Sequence, residues 1–125
     1  MRPAPESRLR LSRSMRLQCT REFAEARASG RRLVKGCLVA NCLRLPDGAN
    51  SRFGVVTSKR IGPAVTRNRA RRLLREAFRL HQHELNAPAT IVLVARKSIG
   101  DKRLREVESD YLEVLRRAKL LKSTS

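Results

Sequence analysis

The stretch SKRIGPAVTRNRARRLLREAFR, residues 58–79, decides how the rest of the sequence is interpreted. Gly62 and Pro63 mark the start of a helix, because a proline early in a helix lacks only an N–H that would have no partner there. From Ala64 to Leu80 the apolar residues recur at helical spacing, which predicts a helix about 25 Å long. The stripe that we expect to face the core consists of Ala70, Leu73, Leu74, Ala77, Phe78 and Leu80.

The other side of this predicted helix is almost entirely cationic. The stretch has eight Lys and Arg residues and one acid, Glu76, and seven of the eight cations are arginine. Like charges four residues apart destabilise a helix, and arginine binds phosphate in a bidentate way that lysine cannot. A face that is merely solvated normally mixes signs, so we interpret this one as a nucleic-acid-binding surface. Its members are Lys59, Arg60, Arg67, Arg69, Arg71, Arg72, Arg75 and Arg79, with Asn68 among them.

The composition of the whole chain is that of a small protein with an anionic partner. The 125 residues include 29 Lys and Arg against 11 Asp and Glu, which gives a formal net charge of +18. So large an excess of one sign repels itself and favours association with a polyanion. The length and the 41% of hydrophobic residues suffice for one domain with a core. No apolar run reaches the roughly 20 residues of a membrane span, so we expect no membrane partner.

Aromatic and cysteine residues narrow the class of protein. The four aromatic residues are Phe23, Phe53, Phe78 and Tyr111. They are far apart in the sequence, which argues against an RNA module that stacks bases on a sheet.

The three cysteines contain no C-x-x-C pair, and we interpret them as reduced thiols of a cytoplasmic protein.

The first half of the chain predicts a short helix followed by strands. Thr20 can cap a helix that Gly30 ends. Residues 37–45 form an apolar strand, residues 46–50 are typical of a turn, and residues 53–57 are interpreted as the second arm of a hairpin.

The second half predicts a buried strand at residues 90–95 and an amphipathic helix at residues 104–118. The predicted order is α-β-β-α-β-α, an α+β sandwich in which helices cover a small, mainly antiparallel sheet. We expect a flexible basic arm at residues 1–16, a single RNA-binding domain at residues 17–120 and a flexible tail at residues 121–125.

The titratable side chains predict no catalytic residue and no metal site. His81 and His83 are two residues apart near a helix end, so on a helix they would diverge by about 200° and could not flank one phosphate. Five of the acids alternate with cations on the last helix, which is typical of a solvated, ion-paired face. We therefore expect any chemistry to come from a partner rather than from this chain.

The central motif resembles the signature of the bacterial ribonuclease P protein subunit. The resemblance rests on Arg67-Asn68-Arg69, on Gly62 to Val65 before it and on Arg71 to Glu76 after it, and it extends over roughly residues 16–118. It implies an α+β fold whose central helix makes a left-handed βαβ crossover, like that of a domain in a small-subunit ribosomal protein. By general rules such a crossover would be right-handed.

That resemblance implies a function as an accessory subunit of a ribonucleoprotein enzyme. The family's protein joins a large catalytic RNA, expected here at 1:1, and the complex removes the 5′ leader from precursor tRNA. The chemistry is expected on the RNA, with Mg²⁺ bound there, so the protein alone is expected to hold no cofactor and no small-molecule substrate.

The resemblance also assigns two sets of contacts. Contacts to the catalytic RNA are expected at Lys59, Arg60, Arg67, Asn68, Arg69, Arg71, Arg72 and Arg75. A cleft between the sheet and the first helix is expected to hold the single-stranded leader with Phe23, Arg27, Asn41 and Phe53. Family members commonly have aromatic residues where Arg27 and Asn41 stand, so we expect phosphate charge to hold the leader more than stacking does.

Two other classes of function stay open at this point. A ribosomal or other purely structural RNA-binding protein would need the same charge. A DNA-binding protein would insert the arginine-rich helix in the major groove, but apart from Asn68 this helix offers only phosphate-type cations, and no two-helix recognition unit precedes it.

Overall fold

The computed structural model describes residues 20–122, except for the side chains of Thr20 and Glu22. Residues 1–19 and 123–125 lie outside the described residues, and with them the predicted arm at 1–16 and Cys19. The helices are α1 (Thr20–Ser29), α2 (Ala64–His81) and α3 (Leu104–Arg117). The strands are β1 (Arg31–Lys35), β2 (Leu38–Arg44), β3 (Arg52–Val56) and β4 (Ala89–Ala95). Short 3-10 helices cover Lys59–Ile61, Gln82–Glu84 and Lys97–Asp101.

The strands form one sheet in the order β1-β2-β4-β3. β2 pairs antiparallel with β1 and with β4, whereas β3 and β4 are parallel. This confirms an α+β fold with a mainly antiparallel sheet. The parallel strands β3 and β4 are joined through α2, so the sheet contains the βαβ crossover that the resemblance implies, and its left-handedness stays a prediction.

The hairpin predicted between residues 37–45 and 53–57 is wrong. β4 lies between β2 and β3 and pairs with both, so β2 and β3 never touch as neighbours. β4 is the most apolar strand and is buried along nearly its whole length, which requires a strand on each side to satisfy its backbone. The turn at residues 46–50 therefore connects strands that are separated by the width of β4.

The predicted element order lacks one strand, β1, so the observed order is α-β-β-β-α-β-α. The sequence of β1 is RRLVK, and its three cations hide the apolar alternation that predicts a strand. β1 is at the edge of the sheet, where charged residues are common because they prevent pairing with other chains. Gly36, at φ +53°, closes the tight turn into β2 and is the local signal of this hairpin.

One face of the sheet packs against α2 and α3 and forms the main core. Phe53 from β3 stacks on Phe78 from α2, with ring centroids 4.2 Å apart and ring planes at 13°. Tyr111 of α3 is fully buried in the same cluster. Three of the four aromatic residues are therefore core residues, and only Phe23 is left to contact a ligand.

The opposite face of the sheet is covered only in part, by α1. Ala26 of α1 packs on Val92 of β4, and Phe23 and Val94 lie beside them. Gly30 ends α1 where the chain passes β2 closely, since a Cβ there would lie 2.9 Å from the carbonyl oxygen of Cys42 in β2. It would also lie 2.3 Å from the carbonyl oxygen of Ala26 in the helix itself. This close approach holds α1 over the sheet at one end and leaves a groove at the other.

The C-terminal residues return to the end of α2. The backbone N–H of Lys122 donates to the carbonyl oxygen of Glu84 at 2.7 Å, and Leu121 forms a β-bridge with Leu85. Leu121 and Lys122 are thus hydrogen-bonded parts of the domain, which corrects the predicted start of the tail at residue 121. Residues 123–125 lie outside the described part of the chain.

His81, the last residue of α2, contacts one carboxylate of the 3-10 helix that follows it and one carboxylate of α3. Its Nδ1 contacts Glu84 and its Nε2 lies 2.8 Å from Glu108 Oε2. Partial burial alone would lower the pKa of His81, but the hydrogen bonds to the two glutamates outweigh it and raise the pKa above the ordinary 6.5. The histidine is therefore a clasp between α2 and α3 whose protonated form the two glutamates favour, not half of a phosphate-binding pair.

This clasp predicts stability that falls as the pH rises. A raised folded-state pKa stabilises the protein fully below the unfolded-state pKa, and the effect is lost as the pH rises through the folded-state value. His81→Gln should therefore lower the free energy of unfolding by about 0.5–1 kcal/mol near pH 6 and by much less near pH 9. Urea unfolding at the two pH values measures this difference. Glu108→Gln should shrink it, and a His81→Gln effect equal at both pH values would contradict the clasp.

Candidate nucleic-acid interface

The outer face of α2 presents exposed arginines that pair with no described carboxylate. Asn68, Arg72 and Arg75 are exposed, and among the described side chains no carboxylate pairs with either arginine. Ala70, Leu74, Ala77 and Phe78 hold the opposite face of the helix in the core. Between the cations, Val65 is 78% exposed in the first helical turn. We call this exposed face, formed by Asn68, Arg72 and Arg75, the arginine ridge. No described carboxylate neutralises the charge of its two guanidinium groups.

Arg67 and Arg71 lie on one flank of this ridge and are half-buried. The Nε of Arg67 is buried and has no hydrogen-bond partner among the described residues. Arg71 donates to the Oδ1 of Asn68 at 2.7 Å, which orients the amide of Asn68 with its NH₂ group free to face outward. Arg67 therefore does not point fully away from the core, although its side chain still reaches the surface.

Arg69, on the opposite flank, is committed to the backbone of another segment. Its guanidinium donates to the carbonyl oxygen of Lys102 at 2.5 Å and to that of Gly100 at 3.4 Å. Arg79, one turn beyond Arg75, pairs with Glu76. The sequence alone could not separate these engaged arginines from the free ones, because helical periodicity gives the direction of a side chain but not its partner.

The loop before α2 adds two cations to the same surface. Lys59 and Arg60 are exposed, and Ile61, which follows them, is buried in the core and anchors the loop. Gly62 turns the chain into the helix at φ +141°, a backbone conformation that side chains disfavour. The predicted contact residues Lys59, Arg60, Asn68, Arg72 and Arg75 are thus brought together on one exposed surface.

A groove of about 400 Å³ lies on the other side of the sheet, between α1 and the strands. Phe23 and Arg27 of α1 form one wall, and Asn41 of β2 and Arg32 of β1 lie opposite. Arg32 and Asn41 are paired in the register of the two strands, so their side chains are neighbours. The floor is aliphatic and consists of Val39, Val56, Val92 and Val94.

Asn41 is the buried polar residue of this groove, whereas Arg27 and Arg32 are exposed at its sides. It is only 7% exposed, and its Oδ1 is buried with no hydrogen-bond partner among the described residues. An unsatisfied buried amide oxygen costs about 1–3 kcal/mol, so a donor from a bound ligand would be favourable there. Asn41 lies in the same groove as Phe23 and Arg27, so these three predicted residues are brought together.

Phe53 does not belong to this groove, and its assignment is wrong. It is 2% exposed and stacks on Phe78, on the face of the sheet that packs against α2. Along β3 the side chains alternate, so Val56 and not Phe53 reaches the groove. Arg32 takes a place in the groove that sequence reasoning missed, because without β1 its neighbour Asn41 could not be identified.

The two surfaces define a class of protein: a small basic α+β protein with an arginine ridge on one side of its sheet and a basic groove on the other. The sequence model of the family Ribonuclease P matches residues 11–119. The chain belongs to the ribonuclease P protein family.

Two similar proteins agree with this membership. The ribonuclease P protein component of Desulfovibrio desulfuricans is 40% identical over 110 residues, which cover 86% of this chain and 85% of the relative. That of Syntrophomonas wolfei is 37% identical over 114 residues, covering 88% and 92%.

Solved structures share the fold. The RNase P protein from Thermotoga maritima is 27% identical, with a TM-score of 0.71 over 82% of this chain and 96% of that one. The Staphylococcus aureus RNase P protein, at 24% identity, has a TM-score of 0.75 over 86% of this chain and 98% of that one and likewise shows the fold.

None of the helices within residues 20–122 has the length and apolar character that crossing a membrane requires. Within the same residues, no three His, Cys, Asp or Glu side chains are grouped to hold a metal ion.

Proposed function

We propose that this protein is the protein subunit of ribonuclease P and that it assists removal of the 5′ leader from precursor tRNA. In this proposal the arginine ridge of α2, with Lys59 and Arg60, binds the catalytic RNA, and the groove beside α1 binds the leader. The observation that carries the proposal is the exposed pair Arg72 and Arg75, which has no acidic partner among the described side chains in a chain of this family. Guanidinium groups kept free in this way suit phosphate oxygens.

The groove supports the leader assignment by its shape and charge. Its aliphatic floor can contact bases or riboses, Phe23 is the single aromatic group available for stacking, and Arg27 and Arg32 at its sides are exposed. A single strand would therefore lie with phosphates against the arginines, and one base edge or a 2′-hydroxyl could donate to Asn41. One aromatic residue offers about 1–3 kcal/mol of stacking, so charge supplies the rest of the affinity.

The chemistry itself is proposed to belong to the RNA, with Mg²⁺ bound there. The carboxylates of the chain support this division, because most of those described have structural partners. Glu113 pairs with Arg116 and Arg117, Glu76 pairs with Arg79, and Asp110 accepts the backbone N–H of Cys37 at 3.0 Å. We propose one protein for each catalytic RNA and a cytoplasmic location, where Cys37 and Cys42, both buried and free, remain reduced.

Reconstitution tests the proposed function. The protein is mixed with a bacterial ribonuclease P RNA, and cleavage of precursor tRNA is followed in low magnesium, where phosphate repulsion is poorly screened. We expect faster cleavage than with the RNA alone and a correct 5′ end. Arg72→Ala with Arg75→Ala should lose most of the stimulation without a fall in Tm, because both side chains are exposed and their removal also relieves repulsion between cations. Binding to the RNA without any stimulation would instead indicate a purely structural RNA-binding protein.

The groove generates a separate prediction on the leader. Arg32→Gln should reduce the gain in affinity that a longer leader gives to precursor tRNA, and raising the salt severalfold should reduce it in the wild type. The matched control is Arg31→Gln, since Arg31 is adjacent but lies on the other face of β1 and donates to the carbonyl oxygen of Arg117. The affinity is measured with holoenzyme and a series of leader lengths. A leader-length dependence that persists unchanged in high salt would contradict binding by charge.

A further inference from the structure

The cations that follow β4 lie beside the arginine ridge, although they are about 30 residues away in sequence. The 97–103 segment begins in the 3-10 helix Lys97–Asp101 and ends at the start of α3. Lys97 and Arg103 are exposed, and no described carboxylate forms an ion pair with either side chain. Glu106 accepts the backbone N–H of Arg103 at 2.9 Å, which leaves the guanidinium of Arg103 at the surface. Lys102 is half-buried, with its Nζ 3.8 Å from Glu106 Oε2, and Asp101 is the single acid within the segment.

Arg69 fastens this segment to the first turns of α2. Its guanidinium binds the carbonyl oxygens of Gly100 and Lys102, so it holds two points of the segment's backbone. Ile99 is fully buried in the same core cluster as Ile61, which anchors the loop of Lys59 and Arg60. The segment is thus fixed against both the helix and its leading loop.

Thr66 marks where these three pieces meet. A Cβ on Gly62 would lie 3.4 Å from Thr66 Cβ, and one on Gly100 would lie 3.8 Å from Thr66 Cγ2. The loop before α2, the first turn of α2 and the 97–103 segment are therefore packed together. Lys59, Arg60, Lys97 and Arg103 consequently border one surface on the helical side of the sheet, away from the groove beside α1.

We propose that the 97–103 segment is a second contact for the catalytic RNA and that Arg69 is the positioning residue that holds it there. This inference rests on the proposed function of the α2 ridge. The partner is the catalytic RNA rather than precursor tRNA, because the segment continues the α2 surface and not the groove. Arg69 acts mainly through the segment, since two of its donors are already used by backbone carbonyls.

The first test removes the two exposed cations, with Lys97→Ala and Arg103→Ala in one variant. Losing two phosphate contacts should reduce the log–log salt slope of binding to the catalytic RNA by about 1.4–1.8, which is about 10- to 30-fold in affinity near 0.15 M salt. The control, Arg116→Ala with Lys122→Ala, removes the same formal charge from the last turn of α3 and from the residues after it. The 14 residues of α3 span about 21 Å, so both positions are far from the 97–103 segment. The slope of this control should stay closer to the wild-type slope than that of the double variant. Equal slopes in the double variant and the wild type overturn the proposal.

The second test concerns Arg69. Arg69→Ala should accelerate amide hydrogen exchange at residues 97–102 and reduce the salt slope. Added to the double variant, it should reduce the slope no further, because the contacts that it positions are already gone. A fully additive reduction would show that Arg69 binds the RNA itself and would overturn its positioning role.

Two further outcomes separate this inference from the function on which it rests. If Arg72→Ala with Arg75→Ala weakens binding and Lys97→Ala with Arg103→Ala does not, the ridge is correct and the second contact is wrong. If neither variant weakens binding to the catalytic RNA, the proposed function of the ridge fails as well. If Lys97→Ala with Arg103→Ala weakens only the affinity of the holoenzyme for precursor tRNA, the segment binds substrate and the proposal is overturned.

Discussion

The pairing of β4 with both β2 and β3 is the constraint on which the two surfaces depend. β4 is buried on both faces, by α2 and α3 on one side and by α1 on the other. Any ligand that binds α2 is therefore separated from the groove by the full thickness of the sheet, which is one layer of backbone with side chains on each face. A protein arranged in this way can contact two nucleic-acid segments at once without placing them in competition.

The distribution of charge follows from the same architecture. The core uses nearly all the aromatic residues, so arginine and lysine are the main polar groups on the two surfaces that we propose bind RNA. Where arginines are needed for the fold, they have partners: Arg79 pairs with Glu76, and Arg69 binds backbone carbonyls. Arg72 and Arg75 have no such partner among the described side chains. Repulsion between neighbouring cations on α2 destabilises the isolated helix, and phosphates bound as proposed would relieve it.

The sequence predicts α2, α3 and β4 well because their apolar residues have a clear pattern, and it predicts α1 from the residues at its ends, Thr20 and Gly30. It fails at β1, where the edge position replaces apolar residues by cations. It also wrongly predicts that β2 pairs with β3, because the strand that separates them, β4, begins 33 residues after β3 ends. The same gap explains the groove. The family resemblance predicts Phe23, Arg27 and Asn41 in the groove. That Val56 lies there instead of Phe53, and that Arg32 lies there too, can be predicted only from the pairing of the strands. Which arginines are free, and which are held by residues such as Gly100, depends on tertiary contacts that no local pattern encodes.

Site-directed cleavage from single cysteines tests most directly whether the two RNAs lie on opposite sides of the sheet. Burial raises the pKa of both Cys37 and Cys42 to about 12, so these thiols do not react with a tethered cleavage reagent, and Cys19→Ser removes the remaining one. The reagent is then attached through Asn68→Cys or through Arg27→Cys, and cuts are mapped in the assembled complex with precursor tRNA. We predict that the probe at residue 68 cuts the catalytic RNA and that the probe at residue 27 cuts the leader. Cuts by both probes in the same RNA segment would contradict the separation of the two surfaces.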